Sequence, residues 1–287
     1  MISKNGEKVK ISKKRKDTLT KWALNQMKCA ETDLIHDLRK GDDKYFDLKE
    51  VEYPFGKRKV FFQKDQEKYE LLQGTRALAV PRKEDNFNNL IEASKEWMES
   101  INDHDLVRIN ELEHIRKEAN WFPALTSIAE IGFRTPRLLK HYLEKGCNYA
   151  EGYDVLEANV IAAEALGYDA KVYDLNACDK DLDLKGIDLV LSYHVLEHVS
   201  DPHKSIKKIY DAMTPGAFFH VEIPIEPGVP NIRYCHLFPF HPGDIKWMLQ
   251  DVGFKVLSLS NQTHEGGPYV ERHLVVRDDI ISKVIEK

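Results

Sequence analysis

The chain has 287 residues, of which 42% are hydrophobic and 31% charged, a balance that allows a full core and excludes a disordered or collagen-like protein. It contains no run of about 18 apolar residues, and lysines occupy the N-terminus where a secretory signal requires an apolar stretch. Four widely spaced cysteines form no CxxC pair and indicate neither a disulfide framework nor a cysteine zinc site. We therefore expect a cytoplasmic protein without a membrane span.

The formal net charge of −5 is unevenly distributed along the chain. Residues 1–126 hold 25 basic and 23 acidic groups, whereas residues 127–287 hold 17 basic and 24 acidic groups. Affinity for nucleic acid depends mainly on Lys and Arg side chains that neutralise phosphates. An acidic second part therefore disfavours a long nucleic acid as the partner.

Residues 1–126 are predicted to form an extension of helices and one hairpin. Residues 1–16 are a lysine-rich leader, which we expect to be a solvated terminus. Helical periodicity recurs in three stretches, residues 17–41, 86–101 and 105–120. A hairpin with a Pro-Phe-Gly-Lys turn is predicted between Tyr45 and Phe62, and we expect its aromatic side chains to pack in a core or dimer contact.

From residue 127 onward, short apolar runs alternate with helical patterns. Such alternation is typical of a parallel sheet that is covered by helices on both faces and binds ligands beyond the carboxyl ends of its strands. Two later runs, GFKVLSLSNQ and ERHLVVRD, predict strands that pair antiparallel at one edge. The sequence thus predicts an α/β domain over residues 127–287, with its site in the loops that follow the strands.

Acidic and small residues stand at successive predicted strand ends. Gly132 in EIGFRTPRLL lies where the backbone turns between a strand and a helix, and Glu130 ends that strand. Asp154 ends the second strand, where an acid accepts hydrogen bonds from both ribose hydroxyls of an adenosine ligand. Asp174 ends the third strand, where it can accept a hydrogen bond from an exocyclic amine. The fourth strand ends in Ser192, Tyr193 and His194.

Over roughly residues 127–276 the chain resembles the class I S-adenosylmethionine-dependent methyltransferases. The resemblance is strongest in IDLVLSYHVLEHVSDPHKSIKKIYDAMTPGAFFHVEIP, and the string VLEHVSDP is similar to the ubiquinone-biosynthesis-like branch. The closing stretch HLFPFHPGDIKWMLQDVGFKVLSLS is similar to the acceptor-side helix and strand of that branch. The resemblance implies a doubly wound, Rossmann-like sheet of seven strands, with S-adenosylmethionine as the cofactor and methyl transfer as the activity.

The resemblance also implies which residues bind each part of the cofactor: Glu130 and Gly132 the methionine portion, Asp154 the ribose, Asp174 and Leu175 the adenine, and Ser192 and His194 the sulfonium. The family's first loop reads acid-x-Gly-x-Gly-x-Gly, whereas this chain has Arg134 and Pro136 at the second and third glycine positions. Arg134 can form a salt bridge with the carboxylate of the cofactor. The alternative is a loop that has lost the cofactor and a fold that serves as a catalytically silent binding module.

Histidines are the candidates for a general base, because transfer of a methyl group to a hydroxyl requires that its proton be taken up. His241 in FPFHPGD and His194 at the strand end are the leading pair. His194, Glu197 and His198 fall on one face of a helix, a spacing that can bind Zn, Mn or Fe. The HVLEH segment is similar to the metal-binding segment of small-RNA 3′-terminal 2′-O-methyltransferases, which carry Glu at the position of His194.

We therefore predict a methyltransferase that acts on the hydroxyl of a small molecule such as a sugar, glycan or natural product. An acidic domain with a histidine-lined mouth fits a small acceptor better than a long polyanion. Two alternatives are the silent binding module and a metal-assisted 2′-O-methyltransferase that acts on RNA. The sequence leaves open whether a metal is used and which oligomer forms.

Overall fold

The computed structural model describes residues 12–14, 17, 40–41, 43–65, 68–69, 72, 95, 98, 101–118, 124–176, 181–228, 230–263 and 269–278. The predicted leader and the helices predicted over 17–41 and 86–101 fall almost entirely outside these residues. Within the part of the chain that the structure describes, no helix is long and apolar enough to cross a membrane.

The first two strands form the predicted hairpin. Strand β1 spans Phe46–Tyr53 and β2 spans Gly56–Gln63, and they pair antiparallel with Tyr53 opposite Gly56. Burial alternates over residues 57–60 of β2, where Arg58 and Val60 are buried, because successive side chains point to opposite faces of a strand. One face of the hairpin is therefore available to pack on the rest of the protein.

Five helices with bounds that the structure describes, and seven further strands, follow the hairpin. In chain order they are α1 (Asp103–Glu118), β3 (Ser127–Ile131), α2 (Arg137–Glu144), β4 (Tyr149–Asp154), α3 (Glu157–Ala165), β5 (Asp169–Val172), β6 (Leu189–Tyr193), α4 (Pro202–Ala212), β7 (Phe218–Pro224), α5 (Asp244–Val252), β8 (Phe254–Thr263) and β9 (Tyr269–Arg277). Two short 3₁₀ helices, Leu196–His198 and Ile232–Tyr234, lie between them. The helix predicted over 105–120 is therefore confirmed as α1.

The seven later strands form one sheet in the order β5-β4-β3-β6-β7-β9-β8. Strands β3 to β7 are parallel, while β9 runs antiparallel to β7, and β8 runs antiparallel to β9. Every residue of β3, β6 and β7 is buried, as expected for central strands that are covered on both faces. The structure thus confirms a doubly wound α/β fold, including its antiparallel edge.

The strand order reverses at β3, which lies between β4 and β6. Because β3, β4 and β6 are parallel, their carboxyl ends meet at the same edge of the sheet. In doubly wound folds, ligands bind in the crevice at such a reversal. The loops after these three strands are therefore where a site is expected.

The hairpin packs on the C-terminal part of the chain. The guanidinium of Arg58 donates to both carboxylate oxygens of Asp244 at the start of α5, with Nε at 2.8 Å from Oδ2. The ring of Tyr53 lies 5.5 Å from that of Phe238, and the ring of Phe55 lies 5.0 Å from that of Trp247. The hairpin aromatics are thus packing residues, as expected, whereas a domain boundary at residue 127 stays a prediction.

We expect Arg58→Met to lower the free energy of unfolding by about 3–5 kcal/mol, because Asp244 is left buried without its cation. Urea denaturation followed by circular dichroism measures the loss. Lys59→Met, at the exposed neighbouring position of β2, is the matched control and should change stability little. A loss of less than about 1 kcal/mol in Arg58→Met would mean that the pair behaves like a surface ion pair.

Candidate functional site

A cleft of about 630 Å³ opens at the carboxyl ends of β3, β4 and β6. Most of the predicted cofactor-binding residues line it, namely Glu130, Gly132, Arg134, Asp154, Asp174, Leu175 and His194. Ser192 and His241 are not among the lining residues. The structure therefore brings the acidic strand ends together as the sequence predicts.

Asp154 connects the loop after β3 to the loop after β4 in the cleft. Its Oδ2 accepts a hydrogen bond from the backbone N–H of Arg134 at 3.0 Å. Its Oδ1 accepts from the backbone N–H of Leu156 at 2.9 Å and from the Asn159 side-chain amide at 3.1 Å. Burial raises the pKa of Asp154, and these donors oppose the rise. A carboxylate offers about four acceptor sites, so one remains for a ligand hydroxyl.

Gly132 lies in the loop after β3, where this loop contacts the loop after β6. Its φ is 75°, and a Cβ on it would lie 2.2 Å from Cγ2 of Val195 in the loop after β6. Arg134, at the family's second glycine position, also has a positive φ of 50°. Arg134 thus adopts the left-handed backbone conformation that a glycine at this position would adopt without strain. Strained conformations of this kind concentrate at functional sites. Pro136 is the N-cap residue of α2.

Glu130 is a buried carboxylate at the cleft, with one oxygen that has no hydrogen-bond partner among the described residues. Burial and the negative charge of Asp105 raise the pKa of Glu130 well above its usual range, although Arg108 and Arg137 oppose the rise. A buried polar atom without a partner is costly, so a ligand that donates a hydrogen bond is favoured here.

The remaining strand-end residues differ in their access to the cleft. Asp174 lies two residues beyond the end of β5, and its Oδ1 accepts a hydrogen bond from the backbone N–H of Asn176 at 2.8 Å. Leu175 beside it is buried and lines the cleft. Ser192 is fully buried within β6 and is not among the residues that line the cleft. The predicted sulfonium contact of Ser192 therefore stays a prediction without a place in the lining.

His194 follows β6 with a left-handed backbone, φ 56°. Its Nδ1 lies 3.3 Å from Oε1 of Glu197, and its Nε2 lies 3.1 Å from Oε1 of Glu222 in β7. Burial alone would lower the pKa of His194, but the two carboxylates outweigh burial and raise it to about 9. A ring held between two carboxylates is suited to carry a proton, and the role of general base predicted for His194 stays untested.

The segment around Glu197 differs from the helix that the sequence predicts. Residues Leu196–His198 form a 3₁₀ turn, and α4 begins only at Pro202, where the Asp201 side chain accepts a hydrogen bond from the backbone N–H of Lys204. His194 lies before this turn. The expectation that positions 194, 197 and 198 share one helix face is therefore wrong, because Asp201 and Pro202 start the helix later.

His241 lies outside the cleft, at the end of the segment before α5. Its Nε2 accepts a hydrogen bond from the backbone N–H of Gly228 at 3.2 Å, and its own backbone N–H donates to Asp244 at 3.0 Å. Burial and the charge of Arg58 lower the pKa of His241. Its predicted catalytic role stays a prediction.

Glu222 is the centre of a buried charge network beside the cleft. It accepts hydrogen bonds from Arg108 at Oε1 and from Arg272 at Oε2, the latter at 2.7 Å from Nε. Arg108 also donates to Asp105 at 2.8 Å, and its guanidinium lies 4.5 Å from the ring centroid of Tyr193. Burial alone would raise the pKa of Glu222, but His194 and Arg108 outweigh burial and lower it. The network joins α1 to the central sheet.

Sequence reasoning missed the contribution of the segment before β3 to the cleft, namely Tyr69, Asn102, His104, Asp105 and Arg108. A signal was present in α1, where Asp105 and Arg108 lie on the same helix face as Ile109 and Leu112. Charged residues on an apolar helix face indicate buried partners. Hydrophobic periodicity identified the helix but not those partners.

The sequence matches the family described as "Methyltransferase domain" over residues 108–259, more than half of the chain. The chain belongs to this methyltransferase domain family. It is an S-adenosylmethionine-dependent methyltransferase, and S-adenosylmethionine is its cofactor. No curated protein matches the methyltransferase in sequence.

Solved structures similar to the methyltransferase have low sequence identity. An S-adenosylmethionine-dependent methyltransferase from Mesorhizobium loti is 17% identical, with a TM-score of 0.47 over 58% of this chain and 97% of the other. The N-methyltransferase NodS from Bradyrhizobium japonicum, in complex with S-adenosyl-L-homocysteine, is 14% identical, with a TM-score of 0.48 over 63% of this chain and 91% of the other.

We expect Gly132→Ala to weaken both the fold and cofactor binding. Gly146→Ala is the matched control, because Gly146 has a φ of 97° but a Cβ on it would have no neighbour within 4 Å. An alanine at positive φ costs about 1–2 kcal/mol, which is all that Gly146→Ala should lose. Gly132→Ala must also displace Val195 and should lose more. Urea denaturation and calorimetry with S-adenosylmethionine measure both effects, and equal losses in the two variants would contradict the prediction.

We expect the charge network around Glu222 to lose stability at acidic pH, because the carboxylate of Glu111 in α1 then takes up a proton. Burial alone would raise the pKa of Glu111, but His220 and Arg272 outweigh burial and lower it from 4.5 to about 2. The stabilisation is therefore full above pH 4.5 and is lost as the pH falls toward 2. Glu111→Gln should lower the free energy of unfolding by about 1–2 kcal/mol at pH 7, a figure reduced for solvent screening.

Urea denaturation of Glu111→Gln at several values between pH 7 and pH 3.5 checks this prediction. The difference from the wild type should shrink as the pH falls below 4.5, since the wild-type carboxylate then takes up its proton. Glu113→Gln is the control, because Glu113 lies on the same helix at a partly exposed site and pairs there with Arg116 at 3.1 Å. A difference that stays constant across this range would exclude a role for the Glu111 charge.

Proposed function

We propose that this methyltransferase transfers the methyl group of S-adenosylmethionine to a hydroxyl group of a small molecule. The observation that carries the proposal is that one cleft contains both the acidic strand ends and a cluster of histidines around Glu197. The first set suits an adenosine cofactor, and the second suits an acceptor whose proton must be taken up. A volume of about 630 Å³ lies in the range of small-molecule sites.

The cofactor is proposed to lie along the ends of β3, β4 and β5. Asp154 has one acceptor site left for a ribose hydroxyl, and Glu130 has an oxygen without a partner among the described residues, which suits the ammonium group of the methionine portion. Asp174 and Leu175 form the wall proposed for the adenine. This order leaves the sulfonium near His194, as the resemblance implies.

The acceptor is proposed to bind on the histidine side of the cleft, between α1 and the 3₁₀ turn at Glu197. Tyr69, His104, His198 and His236 line this side. Placing the acceptor oxygen in line with the sulfonium methyl supplies a large part of the catalysis, on the order of 7–11 kcal/mol for well-aligned reactants. The string VLEHVSDP supports membership of the ubiquinone-biosynthesis-like branch.

Calorimetry with S-adenosylmethionine and S-adenosylhomocysteine tests the cofactor site. We expect Asp154→Asn to weaken binding by about 10- to 100-fold, because hydrogen bonds between a charged group and the ribose contribute about 1.5–3 kcal/mol each. Asp169→Asn, at the exposed start of β5, is the control and should bind like the wild type.

The acceptor class is tested by incubating the protein with labelled S-adenosylmethionine and separate pools of hydroxylated small molecules, amines and RNA. We expect label in the hydroxylated pool. Label confined to the amines or to the RNA would contradict the proposed acceptor while leaving the cofactor site intact. Wild-type affinity in Asp154→Asn would remove the ribose assignment.

A further inference from the structure

Three potential metal ligands converge on the histidine side of the cleft. Oε1 of Glu197 lies 3.9 Å from Nε2 of His198 and 4.0 Å from Nε2 of His236. The ligand atoms of these three residues all lie within 4.8 Å of one another. His236 comes from the loop before α5, far along the chain from Glu197, so tertiary structure assembles the group.

The two imidazole rings are oriented by partners on their other nitrogens. Nδ1 of His198 lies 2.9 Å from the backbone carbonyl oxygen of Cys235, and Nδ1 of His236 lies 2.5 Å from Oε2 of Glu226. Both partners are acceptors, so each Nδ1 donates a hydrogen bond to its partner, and Nε2 is the ring nitrogen left to face Glu197. Histidines that bind metals are commonly held in this way by an acceptor behind the ring.

The buried carboxylate of Glu197 also points to a ligand. Its side chain is 1% exposed, and neither carboxylate oxygen has a hydrogen-bond partner among the described residues. A buried carboxylate is costly unless it is paired or coordinates a metal. Nδ1 of His194 lies 3.3 Å from Oε1 of this carboxylate, and the Nε2 atoms of His198 and His236 approach the same oxygen at 3.9 and 4.0 Å.

We propose that Glu197, His198 and His236 bind one divalent transition-metal ion. Two imidazole nitrogens and one carboxylate oxygen suit Zn²⁺, Mn²⁺ or Fe²⁺, whereas Mg²⁺ and Ca²⁺ prefer oxygen ligands alone. Bond lengths of about 2.0–2.2 Å place tetrahedral ligands about 3.3 Å apart. The observed 3.9 and 4.0 Å to Glu197 therefore require a contraction of about 0.6 Å, and the two imidazole nitrogens, within 4.8 Å of each other, require one of up to about 1.5 Å. Side-chain rotations provide both.

The ligand set differs from the one that the HVLEH segment indicates. His194 faces Glu197 through Nδ1 and Glu222 through Nε2, so both of its nitrogens are directed at carboxylates. His236, which the segment does not contain, takes its place. His194 thus holds Glu197 in position and is not itself a ligand.

The inference deepens the proposed function, since the ion would lie on the acceptor side of the same cleft. All three ligands line the cleft, so a bound ion would be reached from it. Three protein ligands with an open position are characteristic of catalytic metal sites. An ion at that position lowers the pKa of a bound hydroxyl and so favours loss of its proton.

Metal binding is tested on the full chain without cofactor or acceptor, so its outcome is independent of the methyl-transfer proposal. The protein is dialysed against a chelator and then titrated with Zn²⁺ in a calorimeter, and with Co²⁺ followed by visible absorption. We expect one equivalent to bind and Co²⁺ to give the spectrum of a nitrogen- and oxygen-ligated site. Glu197→Gln and His236→Ala should each weaken binding by more than about 100-fold.

Two further variants separate a site from adventitious binding. Glu226→Gln, behind the ring of His236, should weaken binding by about 10- to 100-fold. His203→Ala removes a partly exposed histidine that pairs with Asp251 and should leave binding unchanged. Circular dichroism verifies that each variant is folded. Binding that is absent at millimolar Zn²⁺, or that has the same affinity in folded Glu197→Gln and His236→Ala, overturns the proposal.

Discussion

The buried carboxylate of Glu222 is the interaction on which the rest of the cleft depends. It lies in the central strand β7 and contacts Arg108 from α1, Arg272 from β9 and His194 from the loop after β6. Each of these charges would be costly to bury alone, and together they compensate one another. The fold therefore holds α1 and the loop after β6 against the sheet through one charged group, and both elements form walls of the cleft.

Because of this arrangement, the cleft contains both the acidic strand ends and the cluster of histidines around Glu197. On the side proposed for the cofactor, Asp154 connects the loops after β3 and β4 through its accepted hydrogen bonds, and Glu130 keeps an oxygen that no described residue satisfies. On the side proposed for the acceptor, Glu197 is as deeply buried and is faced by imidazole nitrogens. A ligand that forms hydrogen bonds to unsatisfied polar atoms in a cleft removes their desolvation penalty and so binds more tightly. Both sides of the cleft have such an atom.

Much of the fold was predictable because local signals specify it. The alternation of SIAEIG, YAEGYDV and IDLVLSYH with helical patterns predicted the parallel sheet, and the strand-end positions of Glu130 and Asp154 placed both carboxylates in the cleft. A strand end is a local property, and parallel strands bring their ends to one edge whatever the details of packing. The segment after β6 was harder, because Asp201 and Pro202 start α4 late and leave a 3₁₀ turn at Glu197.

The sequence by itself determined the order of the elements, the acidic strand ends and the resemblance to a methyltransferase, all of which depend on neighbouring residues. The tertiary structure alone decided which distant side chains meet. It brought His236 to Glu197, placed Arg108 on Glu222 and left His241 outside the cleft. The physical reason is that hydrophobic periodicity records which face of an element is buried, whereas the partners of a buried charge depend on how separate elements pack.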